Sequence, residues 1–227
     1  MKPVNGTLQQ LIEAEKKALF LFQEAEERKL IVPGKSEKQL NAELYELAFQ
    51  LFGIKKYWHK RIVRAGKNTL FPYRENPPDL MLQNDDILFF DFGPVFKEWE
   101  ADVGRTYVLG NDGTKLKLKN DVESAWKISR DYYFGKQEIT GSEFYRFIAE
   151  LAKKFGWAFG GGIAGHLIGN FPHEKIEGDG IVNYIHPDNH INMLSPGESG
   201  SKRNWILEIH FINAEKQIGG FFEQILM

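Results

Sequence analysis

The chain has 227 residues, 42% of them hydrophobic and 26% charged, with a formal net charge of −2. That length suits one large domain or two closely packed halves, and the near-neutral balance leaves no basic footprint for nucleic acid. The lack of cysteine excludes disulfides, thiolate zinc sites and cysteine nucleophiles, so any metal must be held by oxygen and imidazole. No apolar run reaches the ~18 residues of a membrane helix, and the opening MKPVNGTLQQ lacks a signal peptide's apolar core; a cytoplasmic protein with no membrane partner is expected.

Residues 7–31 carry Leu8, Leu11, Ala18, Leu19, Phe22 and Ala25 at helical spacing, and Val32-Pro33-Gly34 ends the run. Ser36 with Gln39 forms a capping-box signature for a second helix, which Gly53 stops. RIVRAG, NTLFPY, DILFFDFG and ADVGRTYVLG then read as the strands of a meander, punctuated by glycine, proline and asparagine. Helical spacing returns from about residue 117 to 155, interrupted near Gly135, with a second capping box at Thr140 and Glu143. After Gly156 strands resume as WAFGGGIAG, then WILEIHFIN and GGFFEQILM, joined tightly around Glu215–Gln217. This order predicts an α+β fold of two similarly built halves. No linker or low-complexity tract separates them, so residues 1–227 are expected to form a single domain.

Asp91 closes the apolar run ILFFD and Asp102 opens DVGRTYVLG eleven residues later. A hairpin of that length brings the two carboxylates face to face. Glu208 lies within WILEIHF and Glu223 within GGFFEQILM. A carboxylate in the middle of an apolar strand is costly to bury without a compensating cation. Any one of these acids alone would equally suit the solvent face of an edge strand. All four occupy strand runs, however, and His166 and His173 follow a glycine-rich strand in GHLIGNFPHE. Converging carboxylates repel one another, and two divalent cations neutralise four of them where a single ion would be overcharged. Oxygen ligands with one imidazole suit manganese, with cobalt, iron or zinc as alternatives. Two adjacent ions generate a bridging hydroxide and clamp both nucleophile and oxyanion in a hydrolysis.

Other signals are weaker. Asp91-Phe92-Gly93 spells a kinase triplet without the loops that accompany it, and Gly160-Gly161-Gly162 lacks a phosphate loop's lysine. His186 and His190 of HPDNH read as an ordinary loop, and KLKLKN as a solvated helix start.

Asp91, Asp102, His166, Glu208 and Glu223, in this order and strand context, resemble the five metal ligands of the pita-bread metallopeptidases. That family includes methionine aminopeptidase, aminopeptidase P, prolidase and the non-metal enzyme creatinase. IVRAGKNTLFPYREN, DILFFDFG, EADVGRTYVLG, GHLIGNFPHE, LEIHF and FEQ carry the likeness over roughly residues 60 to 225. The resemblance implies two pseudo-symmetric halves whose curved antiparallel sheet is covered by helices. It implies that Asp91 chelates one metal and His166 with Glu208 the other, while Asp102 and Glu223 bridge both. It further implies that Glu208 shuttles protons and that His173 hydrogen-bonds substrate or the tetrahedral intermediate. Relatives are often homodimers, so a homodimer is an assembly the resemblance admits.

The chain also departs from the family pattern. Pro72 stands where many members have a substrate-contacting histidine, and Tyr73 or His59 of YWHKR would replace that contact. Glu208 is followed by Ile209-His210 rather than Pro-Gly, and Gly104 stands where threonine is frequent. These changes bear on substrate specificity and, to a lesser degree, on activity. The length matches a catalytic domain alone, as in methionine aminopeptidase, while RIVRAGKNTLFPYREN is closer to the Xaa-Pro branch. The expected function is a dinuclear-metal hydrolase acting on a peptide or small amide, an aminopeptidase or dipeptidase of the Xaa-Pro type. Two rivals stand beside it. One keeps fold and metals but acts on a small non-peptide substrate, creatinase-like or sulfonium-lyase-like. The other is a non-catalytic binding module, against which the survival of all five ligands argues.

Overall fold

Ser36 and Thr140 cap helices as their spacing predicts. The Ser36 hydroxyl accepts from the Gln39 N–H at 3.2 Å and Gln39 accepts from the Ser36 N–H at 2.8 Å; Thr140 and Glu143 repeat the exchange at 3.1 and 2.9 Å. The computed structural model describes residues 6–173, 180–197 and 200–227, so the first five residues of the stretch read for a leader lie outside it. Helix α1 spans Gly6–Glu27, α2 Glu37–Phe52, α3 Gly113–Phe134 and α4 Gly141–Phe155. The third helix starts earlier than its apolar spacing indicates because the Asp112 side chain caps it, accepting from the Lys115 N–H. Among the described residues no helix is long and apolar enough to cross a membrane.

The strands are β1 Ile62–Ala65, β2 Ile87–Phe92, β3 Val95–Phe96, β4 Trp99–Glu100, β5 Val103–Val108, β6 Ala158–Phe159, β7 Ile206–Asn213 and β8 Ile218–Ile225. Six of them form one antiparallel sheet in the order β1-β2-β5-β8-β7-β6, and β3 pairs with β4 in the connection between β2 and β5. Each half of the sequence thus supplies three neighbouring strands, and the halves meet at a β5–β8 seam. Leu88, Phe90, Phe92 and Val103 pack under residues of α1 and α2 such as Phe22 and Leu44. On the other half, Leu207, Ile209, Phe211 and Phe222 pack under residues of α3 and α4 such as Trp126 and Ile148. Burying side chains of this size stabilises the fold by roughly 1.5–3 kcal/mol each.

Two expected strands are corrected. NTLFPY holds a 3₁₀ helix, Gly66–Leu70, because its side chains bond locally and to α2 rather than offering a ladder. Thr69 Oγ1 donates to the Gly66 carbonyl at 2.5 Å, and Asn68 Nδ2 donates to Glu37 Oε2 at 2.9 Å. WAFGGGIAG contributes only Ala158–Phe159 as regular strand. Beyond its glycines the chain is tied down irregularly on both sides: Ala164 N–H donates to Ile185, Glu208 N–H to Ala164 and Ile206 N–H to His166, at 2.8, 2.9 and 2.7 Å. Those bonds lay His166 against β7 beside Glu208.

Candidate metal centre

The register of the central strands lines up the acids. Asp91 on β2 lies opposite Gly104 on β5, Gly104 opposite Glu223 on β8, and Glu223 opposite Glu208 on β7. They occupy one hydrogen-bonded row, whose neighbouring strands stand about 4.7–4.9 Å apart. Phe90, Phe92, Leu207, Ile209 and Phe222 enter the helix-covered cores, so strand alternation turns Asp91, Glu208 and Glu223 to the opposite face. Asp102 sits immediately before β5 and completes the set. Gly104 is the one position in the row without a side chain. A Cβ there would come within 2.5 Å of the Phe221 ring and 3.0 Å of Glu223 Cβ, so the ring occupies the space a larger residue would take.

Asp102 is the hub. One oxygen lies 3.1 Å from His166 Nε2 and the other 3.0 Å from His59 Nε2. His166 Nε2 is also 3.6 Å from Glu208 Oε1, and His59 Nε2 is 3.6 Å from Asp91 Oδ1. His59, Asp91 and Asp102 form one group with the geometry to hold a metal ion, and Asp102, His166 and Glu223 a second. All five residues expected from the sequence are therefore brought together, and His59 joins them. From the sequence His59 is expected only as a substitute substrate contact; the signal for its place here is Gly93, whose missing side chain leaves room for the imidazole.

The electrostatics follow from burial and proximity. Burial pushes Glu208 and Glu223 above the ordinary carboxylate range, with Asp102 and Asp91 adding to the effect on both and His166 opposing it on Glu208. Asp91 is raised by its burial and by Asp102, against the pull of His59. Asp102 is equally buried, yet the two imidazoles outweigh that and hold it below the ordinary range. Burial works against cationic His59 and His166, but Asp102 in both cases overcomes it and carries each to about 9.

His173 stands at the rim. Its Nδ1 is 2.9 Å from Glu100 Oε2, and its ring stacks on Trp58 at 4.4 Å between centroids. Trp58 is fixed in turn by donating to the Ala101 carbonyl at 2.9 Å. Tyr73 meets the His59 ring edge-on at 5.6 Å, and its hydroxyl accepts from the Lys60 N–H at 3.2 Å. The Pro72 carbonyl accepts from Arg64 at 3.0 Å. His186 and His190 flank a turn at 187–188 and join no metal-type group among the described residues.

The donor set fits divalent cations. It offers hard carboxylate oxygens with imidazole nitrogen, and Glu223 Oε2 is buried with no hydrogen-bond partner among the described residues. An orphaned buried acceptor costs about 1–3 kcal/mol, which a coordinated cation would remove.

Comparison with known proteins decides the family. The profile of Metallopeptidase family M24 matches residues 9–199, most of the chain. The chain belongs to family M24. The match includes Asp91, Asp102, His166 and His173, while Glu208 and Glu223 lie beyond its end. The M24 chain is 28% identical over 144 residues to an uncharacterized peptidase of Methanocaldococcus jannaschii, covering 63% of this chain and 40% of that protein. It is 24% identical over 128 residues to the Xaa-Pro dipeptidase of Pyrococcus furiosus, covering 56% of this chain and 36% of that one. The matched stretch thus spans well under half the length of either relative. The X-Pro aminopeptidase of Thermotoga maritima superposes with a TM-score of 0.76 at 19% identity, over 97% of this chain and 57% of that one. The pita-bread fold expected from the sequence is the fold observed.

Proposed function

We propose that this M24 chain is a metal-dependent hydrolase of peptide bonds, with two divalent cations held by Asp91, Asp102, His166, Glu208 and Glu223. The observation that carries the reading is the single row of buried carboxylates around Asp102, with Glu223 Oε2 left unpartnered. When bound, such cations would activate water as a nucleophile at neutral pH and polarise the scissile carbonyl. Manganese is the first choice for the reaction, with cobalt, iron and zinc as alternatives.

The protein's own groups supply the rest. Glu208 has a side chain 17% exposed against 12% for Asp91 and 2% for Asp102, so it is the more open of these acids to substrate and solvent for proton transfer. Glu100 and Trp58 fix the His173 ring plane, leaving Nε2 to hydrogen-bond substrate. The kinship with an Xaa-Pro dipeptidase supports an Xaa-Pro substrate. A single catalytic domain, a homodimer and a cytoplasmic location belong to the same proposal.

A second reading keeps the cations and changes the substrate to a small non-peptide molecule, creatinase-like or sulfonium-lyase-like. Pro72 favours it, since its carbonyl is taken by Arg64 and the Glu75 N–H and it supplies no polar side chain. One panel separates the readings: manganese-loaded protein assayed on Xaa-Pro peptides, Met-initiated peptides and small non-peptide amides, with Asp102→Ala beside it. Metal-dependent Xaa-Pro cleavage absent from the variant is expected. Turnover that survives in Asp102→Ala would refute the mechanism.

A further inference from the structure

Residues 56–59 run alongside the end of β2 without forming a regular strand. The Trp58 N–H donates to the Gly93 carbonyl and the Val95 N–H to the Lys56 carbonyl, both at 3.0 Å. A Cβ at position 93 would stand 2.2 Å from His59 Cδ2 and 2.3 Å from His59 Nε2. No side chain fits there, so the glycine of the Asp-Phe-Gly triplet is the seat that admits the imidazole.

The His59 ring is oriented as the His166 ring is. His59 Nδ1 lies 2.8 Å from the carbonyl of Lys60, the next residue, and His166 Nδ1 lies 2.7 Å from the carbonyl of Leu167, also the next residue. A carbonyl only accepts, so both Nδ1 atoms carry the proton and both Nε2 atoms face the acids. Each Nε2 then addresses a different oxygen of one carboxylate, His59 at Asp102 Oδ1 and His166 at Asp102 Oδ2. An imidazole held through one nitrogen by a carbonyl, with the other aimed into a cluster of carboxylates, is the arrangement that accompanies metal ligation.

We infer that His59 is a protein ligand of the cation on the Asp91 side, so that each of the two cation positions has one imidazole. The inference rests on the dinuclear reading proposed above. It assigns His59, Asp91, Asp102 and Glu223 to one ion and His166, Glu208, Asp102 and Glu223 to the other. A second imidazole also moves the preference of the pair from manganese toward cobalt, iron(II) or zinc.

Proton NMR of the cobalt(II)-loaded protein tests this directly. The Nδ1 proton of each cobalt-bound imidazole gives a strongly shifted resonance that disappears in deuterated solvent. Wild type should show two, His59→Gln one, and His166→Gln the other one. Calorimetric titration of the metal-stripped protein with cobalt chloride should find two ions in wild type and, in His59→Gln, one of the two weakened by about tenfold or more. Two bound ions with a single exchangeable resonance in wild type would overturn the inference and leave the dinuclear reading standing. The same holds if both affinities are unchanged in His59→Gln. A wild-type protein that takes up no cobalt would instead refute the metal centre itself. Should His59→Gln fail to fold, the wild-type resonance count decides alone.

Discussion

Glu15 ties α1 to the strand that carries Glu223, and replacing it with glutamine tests how burial sets its charge. The residue is 3% exposed, and its Oε2 accepts from the Ile225 N–H at 2.6 Å. Burial raises its pKa from the ordinary 4.5 to about 7, with the Ile225 bond and Arg105 opposing and Asp102 adding. The unfolded chain therefore loses this proton near pH 4.5 while the native state keeps it to about pH 7. The group's contribution is complete below the lower value and is lost as pH rises to the upper one. At ~1.36 kcal/mol per unit, that interval costs the native state about 3 kcal/mol once pH exceeds 7. Glu15→Gln retains an acceptor for Ile225 and cannot ionise. Its unfolding free energy relative to wild type should thus rise by about 3 kcal/mol between pH 4.5 and 7 and then level off. Urea titrations of metal-stripped protein across that range, followed by tryptophan fluorescence, measure the difference. A difference constant with pH would refute the reasoning, as would one growing toward acid.

Other expectations concern the site. Gly104→Ala forces its Cβ against the Phe221 ring and should destabilise by about 1–3 kcal/mol; thermal unfolding of the single variants and of Gly104→Ala with Phe221→Ala should reveal coupling, because the second change frees the space. Glu100→Ala should lower kcat/KM about tenfold or more by freeing the His173 ring, while metal content measured by elemental analysis stays at the wild-type level. Manganese at about 100 times its Kd should stabilise wild type by about 2.7 kcal/mol and shift its thermal midpoint upward. Asp102→Ala should show no such shift in the same calorimetric scan.

Local signals were readable wherever the determining contacts are close in sequence. Both capping boxes, the glycine stop after α2 and the β7–β8 hairpin all depend on neighbours within one turn or one connection. The candidate acids Asp91, Glu208 and Glu223 were legible too, because carboxylates in apolar strands stand out against period-two burial; Asp102 and His166, outside the regular strands, stood out through the family resemblance. What escaped depends on distant partners. The 3₁₀ helix at Gly66–Leu70 is fixed by Glu37, which lies on α2 and also accepts from the Ala65 N–H at 2.6 Å. The role of His59 hinges on Gly93, whose missing side chain has meaning only once the two stretches lie side by side. The glycines at 160–162 misled because an apolar run was given more strand than its irregular hydrogen bonds support.

The β5–β8 seam gives the candidate metal centre a mechanical meaning. Asp91 and Asp102 precede α3, whereas His166, Glu208 and Glu223 follow α4. A cation shared by Asp102 and Glu223 would therefore cross-link two stretches of chain more than a hundred residues apart. Tying such distant points removes loop entropy from the unfolded chain much as a disulfide does. For a protein without cysteine, the ions would then serve as the clasp of the fold as well as its reagent, and removing them would loosen the two halves from each other.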